Sequence, residues 1–158
     1  MAVAFLSGAN ESVTYNCIFI SYQGAFYTNG RTQFYRDCDI YGIVDFIFGK
    51  GRAVFQNRNL FAHLPNRTIT FTAQSKSSSR QISSYVFQNC SFTLSPEFRS
   101  QEKGLGRAWI GPVGSDCCGF TELEEFNNEG PSSNTSGRVS WSKVLPDAAA
   151  TQQFTVTK

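Results

Sequence analysis

Apolar residues along this chain recur in short runs and almost nowhere at helical spacing. Val13-Thr14-Tyr15, Thr32-Gln33-Phe34-Tyr35, Ala53-Val54-Phe55, Thr68-Ile69-Thr70-Phe71-Thr72 and Ser84-Tyr85-Val86-Phe87 read as β-strands. Turn signals separate them, among them Thr28-Asn29-Gly30 and Gly49-Lys50-Gly51. One stretch, Thr121-Glu122-Leu123-Glu124-Glu125-Phe126, reads instead as a short helix.

Four segments repeat one pattern: apolar, then Asn or Asp, then usually Cys, one residue, then apolar. They centre on Asn16, Asp37, Asn57 and Asn89, spaced 21, 20 and 32 residues apart. A period near 20 with occasional insertions is the signature of a solenoid, whose units bury their apolar faces only by stacking. Leucine is too scarce for a leucine-rich repeat. Val, Ile, Phe and Tyr, with Asn at bends, fit a parallel β-helix in which side-chain amides bond along the stack. The Asn and Asp positions are therefore expected to be bends. Cys17 and Cys38 share a repeat position, so they should lie about one strand spacing apart, ~4.8 Å. That separation suits either a disulfide or a stack of buried thiols.

Composition narrows the function classes. At 158 residues the chain makes one domain, and 41% apolar content permits a core. A net charge of +2 is too small to argue for a nucleic-acid or membrane-surface partner. No apolar run approaches a membrane span. The opening run Met1–Leu6 is too short for a signal-peptide core, which leaves either a cytosolic protein or one whose true N-terminus lies upstream. Five cysteines (Cys17, Cys38, Cys90, Cys117 and Cys118) include no pair with zinc-finger spacing. Sequons at Asn10, Asn66, Asn89 and Asn134 lean mildly towards a secreted ancestry.

The usual hydrolase constellations are missing. His63 is the one histidine, there is no G-x-S-x-G, and no His/Cys/Asp/Glu cluster has metal-ligand spacing. His63 is expected to be a surface or satisfied structural residue. The segment Val44-Asp45-Phe46-Ile47-Phe48-Gly49 is different, because a carboxylate sits inside an apolar run. Such an aspartate must face a groove or be paired. It is either a bend or ion-paired residue, or a catalytic carboxylate with a perturbed pKa. Shifting Asp45 back by 21 residues lands on Gly24, which puts Gln23 one coil below and one residue aside. An amide there is placed to donate to charge developing near Asp45; the plain alternative is membership of a polar stack. Arg107 follows a glycine and offers a fork for a carboxylate, or is a solvated surface charge. Trp109 offers a flat face for a sugar ring, or packs in the core.

Together these stretches resemble plant pectin methylesterases (pectinesterases). The resemblance rests on Ala2-Val3-Ala4-Phe5, Phe34-Tyr35-Arg36-Asp37-Cys38-Asp39-Ile40, Val44-Asp45-Phe46-Ile47-Phe48-Gly49 and Ala53-Val54-Phe55-Gln56-Asn57. It continues through Thr72-Ala73-Gln74, Leu105-Gly106-Arg107-Ala108-Trp109, Asn127-Asn128-Glu129-Gly130-Pro131 and Asn134-Thr135-Ser136, with Arg138-Val139 and Trp141. It implies an all-β fold, a right-handed parallel β-helix (a single-stranded solenoid) incomplete at its N-terminal end. The helix domain is expected over residues 1–145, with a tail over 146–158. The implied reaction is hydrolysis of the C6 methyl ester of galacturonate in homogalacturonan, through an acyl-enzyme. Asp45 matches the nucleophile, Gln23 an oxyanion-stabilising glutamine, and Arg107 the arginine that orients the nucleophile. Tyr27, Phe48 and Trp109 match aromatic positions lining the sugar groove. No metal or organic cofactor is implied. The implied setting is a monomer in the plant cell wall, outside the cell, with pectin as partner and a proteinaceous pectinesterase inhibitor as a second.

The departures from the family matter equally. The family's general acid is Gly24 here, and glycine transfers no proton; losing such help costs about 10²–10⁴-fold in rate. A second oxyanion glutamine falls at Met1, worth roughly 10²–10³-fold. Ile43 stands where the family has a small residue. Family coils preceding residue 1, a secretion signal and any inhibitory pro-region are not in this chain. Ile110–Cys118 stands in place of a strand-containing stretch with a second substrate-facing tryptophan. Three readings follow: an impaired esterase, an inactive pectin-binding module, or a non-functional fragment. Asp45, Gln23 and Arg107 favour the first, and Gly24 favours the second.

Overall fold

The computed structural model describes residues 3–63, 69–74, 80–81, 83–98, 122–130, 135–137 and 143–146. Arg107, Trp109, Met1, the unmatched segment 110–118 with its two cysteines, and the tail beyond residue 146 lie outside the described residues.

The chain winds as a parallel β-helix. Three strands form each rung: β1 (Phe5–Ser7), β2 (Ser12–Tyr15) and β3 (Ile18–Ile20) in the first. The second rung has β4 (Phe26–Thr28), β5 (Thr32–Arg36) and β6 (Asp39–Gly42). The third has β7 (Val44–Gly49), β8 (Arg52–Gln56) and β9 (Asn59–Ala62). The fourth has β10 (Thr70–Gln74), β11 (Ser84–Gln88) and β12 (Ser91–Leu94). Like strands stack on like. One sheet (A) runs β1-β4-β7-β10, another (C) β3-β6-β9-β12. The last (B) runs β2-β5-β8-β11 and continues through β13 (Glu122–Phe126) to β14 (Lys143–Val144). Every strand pairing among the described residues is parallel.

The bends explain the repeat. Asn16, Asp37, Asn57 and Asn89 all take positive φ, between 53° and 57°, at the corner between sheets B and C. Asn and Asp tolerate this left-handed conformation better than other residues with a side chain, which is why they recur there. Their amides also bond between rungs: Asn89 Nδ2 donates to Asn57 Oδ1 and Asn127 Nδ2 to Asn89 Oδ1, each at 3.0 Å. Asn127, at φ 48°, is thus a fifth copy of the bend, 38 residues beyond Asn89.

That fifth copy corrects the helix expected over Thr121–Phe126. Glu122–Phe126 is strand β13, in register with Ser84–Gln88 of β11. Local preference for helix is weak, and an open ladder of backbone donors and acceptors on β11 outweighs it.

The core is an aromatic stack held by the register. Tyr35, Phe55 and Phe87 are mutual partners on sheet B, with ring centroids 5.1 and 5.0 Å apart and planes 18° and 12° from parallel. All three are buried, and Phe26 meets Tyr35 and Phe55 edge-on from the facing sheet. Such ring pairs add about 0.5–1.5 kcal/mol each beyond area burial.

Cys17 and Cys38 occupy equivalent positions, with Asp39 N donating to Cys17 O at 2.9 Å, and both are free thiols. Cys90 is likewise free and fully buried; burial pushes its thiol up to about 12. At the intervening copy the cysteine is replaced by Arg58, which pairs with Asp37 and lies 3.7 Å from Asp39. His63 is a satisfied structural residue, its Nδ1 lying 3.1 Å from both Ser95 Oγ and Glu97 Oε1.

Asn89→Ala should destabilise the fold more than Asn89→Gly, by about 1 kcal/mol, because alanine takes the left-handed bend at a cost glycine does not bear. Urea unfolding of the two variants measures the difference; equal midpoints would mean that the conformation of the bend contributes little.

Candidate active site

The expected nucleophile sits at a bend. Asp45 is the second residue of β7, at φ 51°, and Gly24, one rung below, takes φ 59°. Gln23 bridges Val44, and Phe26 pairs with Ile47, so Gly24 and Ala25 face Asp45 and Phe46. Both rungs therefore turn from sheet C into sheet A through one left-handed residue. The next rung does not follow. Thr70 pairs with Val44 and Thr72 with Ile47, leaving Phe71 alone opposite Asp45 and Phe46. Two residues opposing one is a β-bulge, a device that re-aims a side chain.

Asp45 is partly exposed and lies outside the buried core cluster. Its Oδ1 is nonetheless buried and has no hydrogen-bond partner among the described residues. Burial raises the Asp45 carboxyl above its ordinary value, and no neighbouring cation among the described groups offsets this. An acceptor in that state costs roughly 1–3 kcal/mol until a donor arrives. The two readings left open for Asp45 thus merge in part, since it is a bend residue and a desolvated carboxylate at once. It is not ion-paired within the described structure.

Gln23 is exposed at the same corner, one rung from Asp45 and in register with the residue before it. Adjacent rungs lie about 4.8 Å apart, within reach of a glutamine side chain. Tyr27 and Phe48 are register partners further along sheet A, stacked at 4.8 Å with planes 6° apart. Leu6 and Ala73 continue the same row, which forms a flat apolar shelf on the outer face. Gly49 permits the stack: a Cβ there would lie 2.2 Å from Thr28 O and 2.8 Å from the Tyr27 ring. The structure thus brings together Asp45, Gln23, Tyr27 and Phe48 on one sheet and its entry corner. Arg107 and Trp109, the remaining expected members, lie outside the described residues.

Tyr22, next to Gln23, is 67% exposed, and its ring lies 6.0 Å from that of His63. Among the described residues no group of three or more His, Cys, Asp or Glu is placed to hold a metal ion.

These features define a parallel β-solenoid with a carboxylate site at the entrance to one sheet. The Pectinesterase family model matches residues 1–112. Over 184 positions the chain is 40% identical to "Probable pectinesterase/pectinesterase inhibitor 17" of Arabidopsis thaliana and to "Pectinesterase 2" of Citrus sinensis. Each alignment covers 98% of this chain and 36% of the relative, so the chain spans about a third of their length. The pectin methylesterase from carrot shares the fold at a TM-score of 0.76 and 24% identity, over 96% of this chain and 57% of that one. This chain belongs to the pectinesterase family.

Replacing Asp45 with asparagine tests the desolvation directly. The folded-state carboxyl is raised, so its stabilising contribution is complete below the unfolded value near 3.9 and is lost as pH climbs through the raised one. Asp45→Asn should therefore raise the melting temperature at pH 7, with the gain shrinking towards pH 3. A gain that is flat across this range would remove burial of the charge as its cause.

Proposed function

We propose that this chain is a carboxylic ester hydrolase acting on the methyl esters of homogalacturonan, impaired in proton transfer. The observation that carries the proposal is the Asp45 carboxylate beside Gln23, at the head of the Tyr27–Phe48 shelf, with its Oδ1 buried and without a hydrogen-bond partner among the described residues. A carboxylate oxygen freed of water is a stronger nucleophile than a fully solvated one. The stacked rings suit the flat face of a galacturonate ring, and the neighbouring amide suits the oxyanion that forms beside it. A pectin methylesterase of this fold, 21% identical with a TM-score of 0.63, has been solved in complex with a hexasaccharide.

In this reading Asp45 attacks the ester carbonyl carbon, and Gln23 donates to the resulting oxyanion. Methoxide leaves as methanol after taking a proton, giving an anhydride between Asp45 and the galacturonyl group. Water then cleaves the anhydride and regenerates the carboxylate, leaving a free uronic acid. The family resemblance assigns Arg107 as the guanidinium that orients Asp45, and Trp109 as a further sugar contact. The proton for methanol must come from solvent, because the matching position is Gly24. We place the protein outside the cell in the wall, as a monomer. The relatives' names, which pair pectinesterase with pectinesterase inhibitor, support a proteinaceous inhibitor as a partner.

Gly24 also favours a second reading, a pectin-binding module that holds the polymer without cleaving it. The left-handed backbone at Gly24 matches that at Asp45, so the conformation of the bend is one that an aspartate already adopts in the next rung. Methanol release from methylated pectin should rise about 10²–10⁴-fold in Gly24→Asp and vanish in Asp45→Asn. Release that persists in Asp45→Asn would exclude Asp45 as nucleophile. Pectin binding with no release in either the parent chain or Gly24→Asp would establish the binding module.

A further inference from the structure

Of the four sequons, the described structure separates two; Asn66 and Asn134 lie outside it. Asn89 is committed to the corner ladder. Its Nδ2 donates to Asn57 and its Oδ1 accepts from Asn127, so a sugar on Nδ2 would wedge between two rungs. Asn10 is different. It stands in the turn between β1 and β2, where residues 8–11 are all exposed. Glu11, at φ 52°, bends the chain just after it, and nothing lies within 4 Å of a Cβ built at Gly8. Its Oδ1 accepts from Thr32 N at 3.3 Å, while Nδ2 meets no acceptor among the described residues. The third sequon residue, Ser12, makes only a long 3.5 Å contact with Ser7 Oγ.

We propose that Asn10 is an acceptor for an N-linked oligosaccharide and that Asn89 is not. Occurrence of the modification in the plant rests on the extracellular reading above, whereas the acceptor geometry does not. The donor class is an oligosaccharide carried on a polyprenyl diphosphate. Asn10 Nδ2 bonds to the anomeric carbon of the first sugar and gives up one proton, and the polyprenyl diphosphate leaves; no group is oxidised or reduced. The site suits a bulky polar group. Phe5–Ser7 runs in register, through Phe26–Thr28, with Ile47–Gly49, so the turn lies past the end of sheet A remote from Asp45. A glycan there leaves the carboxylate open.

The test is expression of the full chain behind a cleavable secretory leader in a eukaryotic host. Peptides are then mapped before and after peptide N-glycosidase, which converts a glycosylated Asn to Asp. The tryptic peptide Met1–Arg31 holds only the Asn10 sequon, so Asn66 and Asn134 do not confuse the result. The expected outcome is a glycan on Asn10 and none on Asn89. Ser12→Ala should lose the glycan while keeping the Asn10–Thr32 hydrogen bond, and Ser12→Thr should retain it. Bare Asn10 in chains whose leader has been cleaved would overturn the proposal, as would a sugar on Asn10 in Ser12→Ala or comparable occupancy at Asn89. Leader cleavage reports entry into the secretory route and methanol release reports the esterase, so failure of this proposal and failure of the functional reading are told apart.

Discussion

In-register stacking of parallel rungs is the constraint on which the rest of this molecule depends. Each strand presents a full ladder of backbone groups, and only a rung of matching shape satisfies it. The side chains then inherit the order of the backbone. Phe55 stacks on Tyr35 and Phe87 because their α-carbons are already aligned, and the same alignment lays Phe48 on Tyr27 outside. Left-handed bends keep the corners aligned, and asparagine meets that requirement while adding an amide ladder. Core, corners and candidate site are three readings of one register.

The site itself is a by-product of a bend. Turning from sheet C into sheet A calls for one residue of positive φ, and few residues with side chains accept it. Asp45 does, so the turn and the carboxylate share a position. The bulge against β10 removes the backbone partner it would otherwise face, and packing strips water from one oxygen. The raised pKa follows from that burial alone. One rung lower the same turn is made by Gly24, with the same backbone conformation and no side chain.

Much of this was legible in the amino-acid order. The repeat at Asn16, Asp37, Asn57 and Asn89 revealed the solenoid because each bend draws on so few residue types. The 21-residue offset by itself puts Gln23 beside Asp45, since register in a solenoid is a matter of counting. Other features were hidden. Glu122–Phe126 has the composition of a helix, and only its neighbour β11 makes it a strand. The bulge at Asp45 depends on β10 being one residue shorter there than β7, a mismatch between distant segments that no local pattern encodes. The orphaned Oδ1 is likewise a property of packing. Resemblance supplied roles for Arg107 and Trp109 that the described structure does not reach.

Where the chain is longer than its period bears on how such a protein changes over generations. Between the third and fourth rungs, β9 ends at Ala62 and β10 begins at Thr70; β10 ends at Gln74 and β11 begins at Ser84. The equivalent joins one rung earlier run only from Gly42 to Val44 and from Gly49 to Arg52. In this rung the added residues enter at the two ends of β10, the strand flanking the one that carries Asp45, and a further excess follows, since Asn89 and Asn127 lie 38 residues apart. The ladders of β11 on β8 and of β12 on β9 stay in register across that excess, and the irregularity is the bulge opposite Asp45. Added length in this rung is thereby channelled to the borders of the carboxylate's own sheet, where it can reshape the approach to Asp45 while sheets B and C stay in register.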